Sequence, residues 1–411
     1  MDIINEIYLE CSKLWWQADR NFKLDMKKYT KIDKKNKENK LDKYIDLIIQ
    51  KMKDFPQEDN KKEKWKNDFD KIIDDFIESE EDAFKLGIIN KNLKNDFFNS
   101  TKSFIKEAKK FNKSLSYSDI GQAMRNVWII NILQASFGQK VEFSKAIFGY
   151  SMLYPYTDNY LDNIEIDINK KEKFNYNLKK RLKGELIEDK NSYEESVYTL
   201  VSCIEEIFKR DVYTELYESL LLIHEGQIKS LMQQEGNSIP YEDDILGISI
   251  EKGGSSVLVD GFLTKGKLDK EEVSFCIFYG FLLQIADDLQ DLKLDIKSNH
   301  ITIMSQLAPK YKLDKISNKL INFTVKLLRD ANCFKGENIV ELKELIKTNC
   351  IMLILFSVVL SKDFFTNEYI NIIEEYLPFS IKYIESIKFK LRKKFRKIEF
   401  EEAVNYILDI N

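Results

Sequence analysis

Asp287, Asp288, Asp291 and Asp295 close an apolar run, and their type and spacing make them the first candidates for chemistry in this chain. Residues three and four apart share one face of a helix, so Asp287, Asp288 and Asp291 converge on a point, with Asp295 a turn beyond. Like charges at that spacing cost about 0.2–0.5 kcal/mol per pair even in water. The usual remedy is a Lys or Arg one turn away, yet none occurs from Glu271 to Leu292. A second such gap, from Ala146 to Asn169, holds Asp158 and Asp162. Against 64 Lys and Arg in 411 residues, both gaps stand out. Hard divalent cations are the alternative source of positive charge. Mg²⁺ fits best, because it takes oxygen ligands, keeps several waters and bridges one or two carboxylates to substrate phosphates.

The elements that must carry these residues are helices. Phe275, Phe278, Phe281, Leu282 and Ile285 recur at three- and four-residue steps, the pattern of a buried helix leading into the Asp287 cluster. The stretch from Phe143 to Tyr160 is rich in aromatics, among them Phe148 and Tyr154, and Tyr154 lies one turn before Asp158. Pro155 must start or kink that helix, since an interior proline removes a hydrogen bond and clashes one turn back. Ser118 is placed to cap a helix running on to Ile130, in which Arg125 stands alone among mostly apolar residues. A semi-buried Arg needs an anion, either a structural carboxylate or a phosphate held bidentately. Gly253 and Gly254 each weaken a helix by about 1 kcal/mol relative to Ala, so the spacing predicts a break there. Such a break is either a plain loop or a place where the amides of Gly253, Gly254 and Ser255, with Lys252 beside them, cradle phosphate oxygens. His224 has neither HExxH nor ExxH spacing and reads as a hydrogen-bonded helix residue.

The two acidic clusters resemble the paired aspartate-rich motifs of class I isoprenoid synthases, the superfamily of prenyl diphosphate, squalene-type and class I terpene synthases. Gln284 followed by Asp287-Asp288-Leu289-Gln290-Asp291, with Lys297 beyond, is similar to the second prenyltransferase motif. Asp158-Asn159-Tyr160-Leu161-Asp162 is similar to the first, with Asn159 where many members carry Asp. The resemblance implies an all-α bundle around a central apolar cavity, with Asp158, Asp162, Asp287, Asp288 and Asp291 holding Mg²⁺, three ions when a prenyl diphosphate is bound. It also implies a diphosphate contact for Lys297, and cavity lining by Tyr154 and Phe148. No arginine follows the first motif, where chain-elongating members have an Arg-Arg pair. A terpene synthase is therefore expected, with prenyl coupling, by elongation or squalene-type condensation, as the alternative.

Composition agrees with long helices and short connections: 14 Gly and 5 Pro are few for 411 residues. Residues 1–115, dense in Lys, Asp, Glu and Asn, read as a charged helical extension, and 116–411 as the synthase core. Trp15 and Trp16 read as packing anchors. The charged stretch 170–190 reads as a surface connection, and the basic run 388–397 either solvates a helix end or closes over phosphates. A net charge of −4 gives no field favouring nucleic acid. Five scattered cysteines without CxxC spacing argue for a reducing compartment, and the longest apolar run is too short to span a bilayer, so a cytoplasmic location is expected. Whether the chain pairs as a homodimer is left open.

Overall fold

The computed structural model describes residues 2–79, 84–85, 90–163, 165–188, 191–234, 243–336, 338–395 and 400–408. Over these it is all-α: no strand forms, and Phe137 and Lys335 make an isolated β-bridge. In chain order the helices are α1 (Asp2–Gln17), α2 (Lys31–Lys53), α3 (Asp59–Ser79), α4 (Lys91–Phe111), α5 (Tyr117–Ser136), α6 (Lys145–Asp162), α7 (Ile168–Leu182), α8 (Ser192–Ile207) and α9 (Thr214–Ser230). They continue with α10 (Ile245–Lys265), α11 (Lys270–Gln290), α12 (Leu292–Ser298), α13 (Ile303–Leu307), α14 (Asp314–Asp330), α15 (Ile339–Leu360), α16 (Asn367–Tyr376), α17 (Ile381–Phe395) and α18 (Glu401–Ile407).

Local sequence explains where several of these begin. Asp269 and Glu272 form a reciprocal capping box that starts α11, and Asn191 with Glu194 does the same for α8. The cap of α5 is Ser116, paired with Asp119, and not Ser118, which falls inside the first turn. A capping box needs its acid three residues after the cap, and only Ser116 has one there. Helix α6 starts at its cap Ser144, so Pro155 lies inside it.

Among the described residues the pairing of α10 with α11 is the most extensive, and α9 also packs on α10. A side chain at Gly253 would place its Cβ 2.6 Å from the Gly280 carbonyl oxygen and 2.7 Å from the Gln284 Cβ. Helices α10 and α11 therefore meet backbone to backbone. The predicted break at Gly253-Gly254 does not occur, because α10 runs unbroken from Ile245 to Lys265. The propensity penalty is offset by the close approach that only glycine permits.

Residues 1–115 are not set apart from the rest. Ile7, Cys11 and Trp15 of α1 and Phe104, Ile105 and Ala108 of α4 belong to the main core. The Trp15 ring meets Phe281 edge-on at 5.4 Å and Phe323 at 6.1 Å, as befits an anchor, whereas Trp16 is two-thirds exposed beside Lys319. Helices α2 and α3 meet the C-terminal α18 in a small second core of Met52, Trp65, Ala403 and Ile407. Stretch 170–190 includes a true helix, α7, which buries Phe174, Leu178 and Leu182 beneath its charged face. On the C-terminal basic run, Lys390 pairs with Asp42 of α2 at 3.3 Å and lies over the Tyr383 ring, so it faces α2. No helix among the described residues is long and apolar enough to cross a membrane.

Candidate functional site

The two acidic clusters lie on α6 and at the end of α11, and Lys252 of α10 stands between them. Its Nζ is 3.7 Å from Asp158 Oδ1, and its charge also acts on Asp287, Asp288 and Asp295. Asp158 in turn is felt at Asp287. Carboxylates 129 residues apart in sequence thus share one field. The glycine crossing produces this arrangement, since Lys252 precedes Gly253 and Gln284 lies against Gly253. On its other side the Lys252 backbone is approached by Gly226 of α9, where an added Cβ would sit 3.1 Å from the Lys252 Cα.

Burial and mutual repulsion shape the second cluster. Asp288 is 5 % exposed; its Oδ1 accepts from Gln284 Nε2 at 2.9 Å, and its Oδ2 has no hydrogen-bond partner. Burial pushes its carboxyl up to about 7 against the pull of the Gln284 bond, and the neighbouring Asp287 adds to the rise. Asp295 is likewise raised to about 7, by burial first and then by Asp291 and Asp287, while Thr302 Oγ1 donates to it at 3.5 Å. Asp287 is also raised, by the surrounding protein and by Asp291, although half of its side chain meets solvent, which weakens these influences. Arg125 Nη1 stands 3.8 Å from Asp287 Oδ1. Arg125 is 60 % exposed, so it is not the semi-buried residue expected, and it overhangs the cluster from α5. His300, after α12, is partly buried near Lys252 and Asp158, and burial lowers its imidazole pKa.

Several expected contacts fall elsewhere. Gly253 and Gly254 spend their amides inside α10 and form no phosphate cradle. Ser255 is fully buried and its hydroxyl donates back to the Glu251 carbonyl, so it too is turned away from a ligand. Phe148 is 1 % exposed and packs against Phe104 and Phe111, making it core and not lining. Lys297 is exposed near the end of α12. The side chains of Asp162 and Tyr154 lie outside the described residues.

Asp260 and Asn126 were not foreseen as a pair. Asn126 Nδ2 donates to Asp260 Oδ1 at 3.1 Å, two turns along α10 from Lys252, and Asp260 is fully buried with its other oxygen unpartnered. The signal was present in the sequence: a lone Asp in the apolar run Val257-Leu258-Val259-Asp260-Gly261-Phe262.

Among the described residues no group of three or more His, Cys, Asp or Glu side chains is gathered into a ready-made metal cage. Mg²⁺ does not require one, since it is commonly held by one or two carboxylates with water and phosphate completing the shell. The donor set fits such an ion. Asp288 keeps a buried oxygen without a partner, and Asp287 and Asp295 are destabilised as anions by their neighbours. The cavities of about 20, 330, 380 and 740 Å³ that described residues line include neither Asp158 nor Asp287. The deep apolar cavity expected beneath the aspartates is not one of them. Compared with protein-family models, curated proteins and solved structures, the chain matches none.

Proposed function

We propose that this chain is a Mg²⁺-dependent class I terpene synthase, which ionises a prenyl diphosphate and lets the resulting cation cyclise or be quenched, releasing diphosphate. The observation that carries this reading is the meeting of Asp158 and Asp287 around Lys252. Asp158, Asp287, Asp288 and Asp291 are the residues that would hold Mg²⁺, which when bound supplies the positive charge a departing diphosphate needs. Lys252 and Arg125 would donate hydrogen bonds to the same phosphate oxygens. Lys252 is the better placed, with only 15 % of its side chain exposed, because a fixed charge counts for more away from water. Gln284 holds one oxygen of Asp288 and so fixes which oxygen is left for a ligand. The prenyl tail would enter the apolar interior beside α10 and α11, which has to open to receive it.

The test is release of diphosphate from geranyl, farnesyl or geranylgeranyl diphosphate with Mg²⁺ and with excess chelator. Release that needs the metal supports the reading; none with any of the three substrates overturns it. Repeating the reaction with isopentenyl diphosphate separates the synthase from the alternative. A lengthened product would make the chain a prenyltransferase.

A further inference from the structure

His224 is a buried titratable group that the proposed chemistry does not use. It is 2 % exposed on α9, and neither ring nitrogen has a hydrogen-bond partner of ordinary geometry. Burial, with nearby Lys179, pushes its pKa down to about 4, against the opposing influence of the Asn175 carbonyl and of Glu225. The ring is therefore neutral near pH 7, with one nitrogen a donor and the other an acceptor, and leaving such groups buried and unmet is unfavourable.

What faces His224 is a small hollow with a polar wall. A cavity of about 20 Å³ is lined by His224, Thr157, Gln227 and Tyr150 together with leucine and isoleucine side chains. Thr157 and Gln227 are themselves linked, Gln227 Nε2 to Thr157 Oγ1 at 3.3 Å, and Thr157 also donates to the Leu153 carbonyl at 3.1 Å. A void of roughly 10–15 Å³ or more admits one water, provided two to four polar groups surround it. The imidazole, Thr157 and Gln227 supply that number. Thr157 immediately precedes Asp158.

We propose that this hollow is a buried-water site in which one water is shared by His224, Thr157 and Gln227, and that through it His224 acts as a positioning residue for the turn of α6 carrying Asp158. The water joins α9 to α6 at the level of the first acidic motif. One water meets one imidazole nitrogen, the other lying toward the Asn175 carbonyl, and Thr157 and Gln227 are the water's partners on the wall, because the rest of it apart from Tyr150 is apolar and the Tyr150 hydroxyl is already bonded to the Ser256 carbonyl. The positioning half rests on the proposed function; the water half does not.

The test has two arms on the full chain. A high-resolution crystal structure is expected to show a water within hydrogen-bond distance of the imidazole and of Thr157 Oγ1; a dry hollow, or a ring nitrogen bonded directly to Thr157 or Gln227, overturns the site. In the second arm, His224→Leu fills the hollow with an apolar group and His224→Gln keeps a donor and an acceptor. The Mg²⁺ concentration for half-maximal diphosphate release is expected to rise about 10-fold or more in His224→Leu and to be largely restored in His224→Gln. A lowered melting temperature with unchanged Mg²⁺ dependence would overturn the positioning role while leaving the water. If the unaltered chain releases no diphosphate, the proposed function fails, and His224→Leu is read by Mn²⁺ binding to the full chain instead. Equal Mn²⁺ affinity in the two proteins then overturns the positioning role.

Discussion

Replacing Gly280 with Ala tests the crossing that brings α10 to α11. In an unhindered helix the change would stabilise, since Ala is favoured over Gly by about 1 kcal/mol. At Gly280, however, the new methyl would run into the Gly253 carbonyl and lie 3.0 Å from the Gly254 Cα, both of them backbone atoms of a buried helix. Side chains can rotate away from an intruding methyl, but a helix backbone can only shift as a body. Overpacking of this kind costs about 1–3 kcal/mol, and a rigid obstacle places the cost at the upper end. The net expectation is a loss of about 1–2 kcal/mol. Gly121 in α5 is the control, because an added Cβ there meets nothing within 4 Å. Gly121→Ala should gain about 0.4–1 kcal/mol. Urea denaturation followed by far-ultraviolet circular dichroism, with slopes compared to confirm an unchanged transition, gives both values. If Gly280→Ala stabilises the protein as Gly121→Ala does, the two helices do not touch as described and the placement of Lys252 loses its basis.

Asp288→Asn should change the pH dependence of stability. The folded carboxyl sits at about 7 against an ordinary 3.8, so the unaltered protein loses stability as the pH climbs between these values, on the order of 4 kcal/mol in all, and the Asn variant escapes that loss. Melting curves without divalent cation should therefore show the variant more stable at pH 8 and the difference vanishing below pH ~4; a constant difference across that range would contradict the burial of the ionised group. Glu272 is fully buried and bound by Lys265 at 2.6 Å and Lys335 at 2.8 Å, besides capping α11. Its replacement by Ala should cost about 3 kcal/mol in the same denaturation assay, since both lysines lose their shared partner. Lys252→Met should lower kcat for diphosphate release by about 10²-fold or more, whereas Arg125→Met, removing a largely exposed group, should have a distinctly smaller effect; equal effects would contradict the central place given to Lys252.

Helix content and the two acidic clusters were legible because both are local patterns. The apolar steps from Phe275 to Ile285 give a helix whatever it packs against, and the lack of Lys and Arg in the sequence flanking Asp158 and Asp287 is visible in one dimension, whereas the approach of Lys252 and Arg125 from other helices is not. What depended on a neighbour was not legible. Gly253 and Gly254 read as a break, since propensity counts only the helix they sit in, whereas Gly280 lies 27 residues away and supplies the reason they are small. Phe148 shows the same limit: an aromatic near a motif lines a cavity or fills a core according to what stands opposite, here Phe104 and Phe111. Stretch 170–190 was dominated by its lysines, and its buried residues Phe174, Leu178 and Leu182, at the helical four-residue step, were outweighed. The exposure of Arg125 likewise follows from which way α5 turns, which its own sequence does not state.

The account stands on the claim that both acidic clusters act on one metal-bound diphosphate. Mn²⁺, a paramagnetic substitute for Mg²⁺, makes this measurable by electron paramagnetic resonance as inorganic diphosphate is added to the full chain and to its Asp158→Asn and Asp287→Asn variants. Diphosphate should increase bound Mn²⁺ in the unaltered protein, and each single variant should abolish that increase. Uptake that ignores diphosphate, or that survives loss of either aspartate, would contradict the claim.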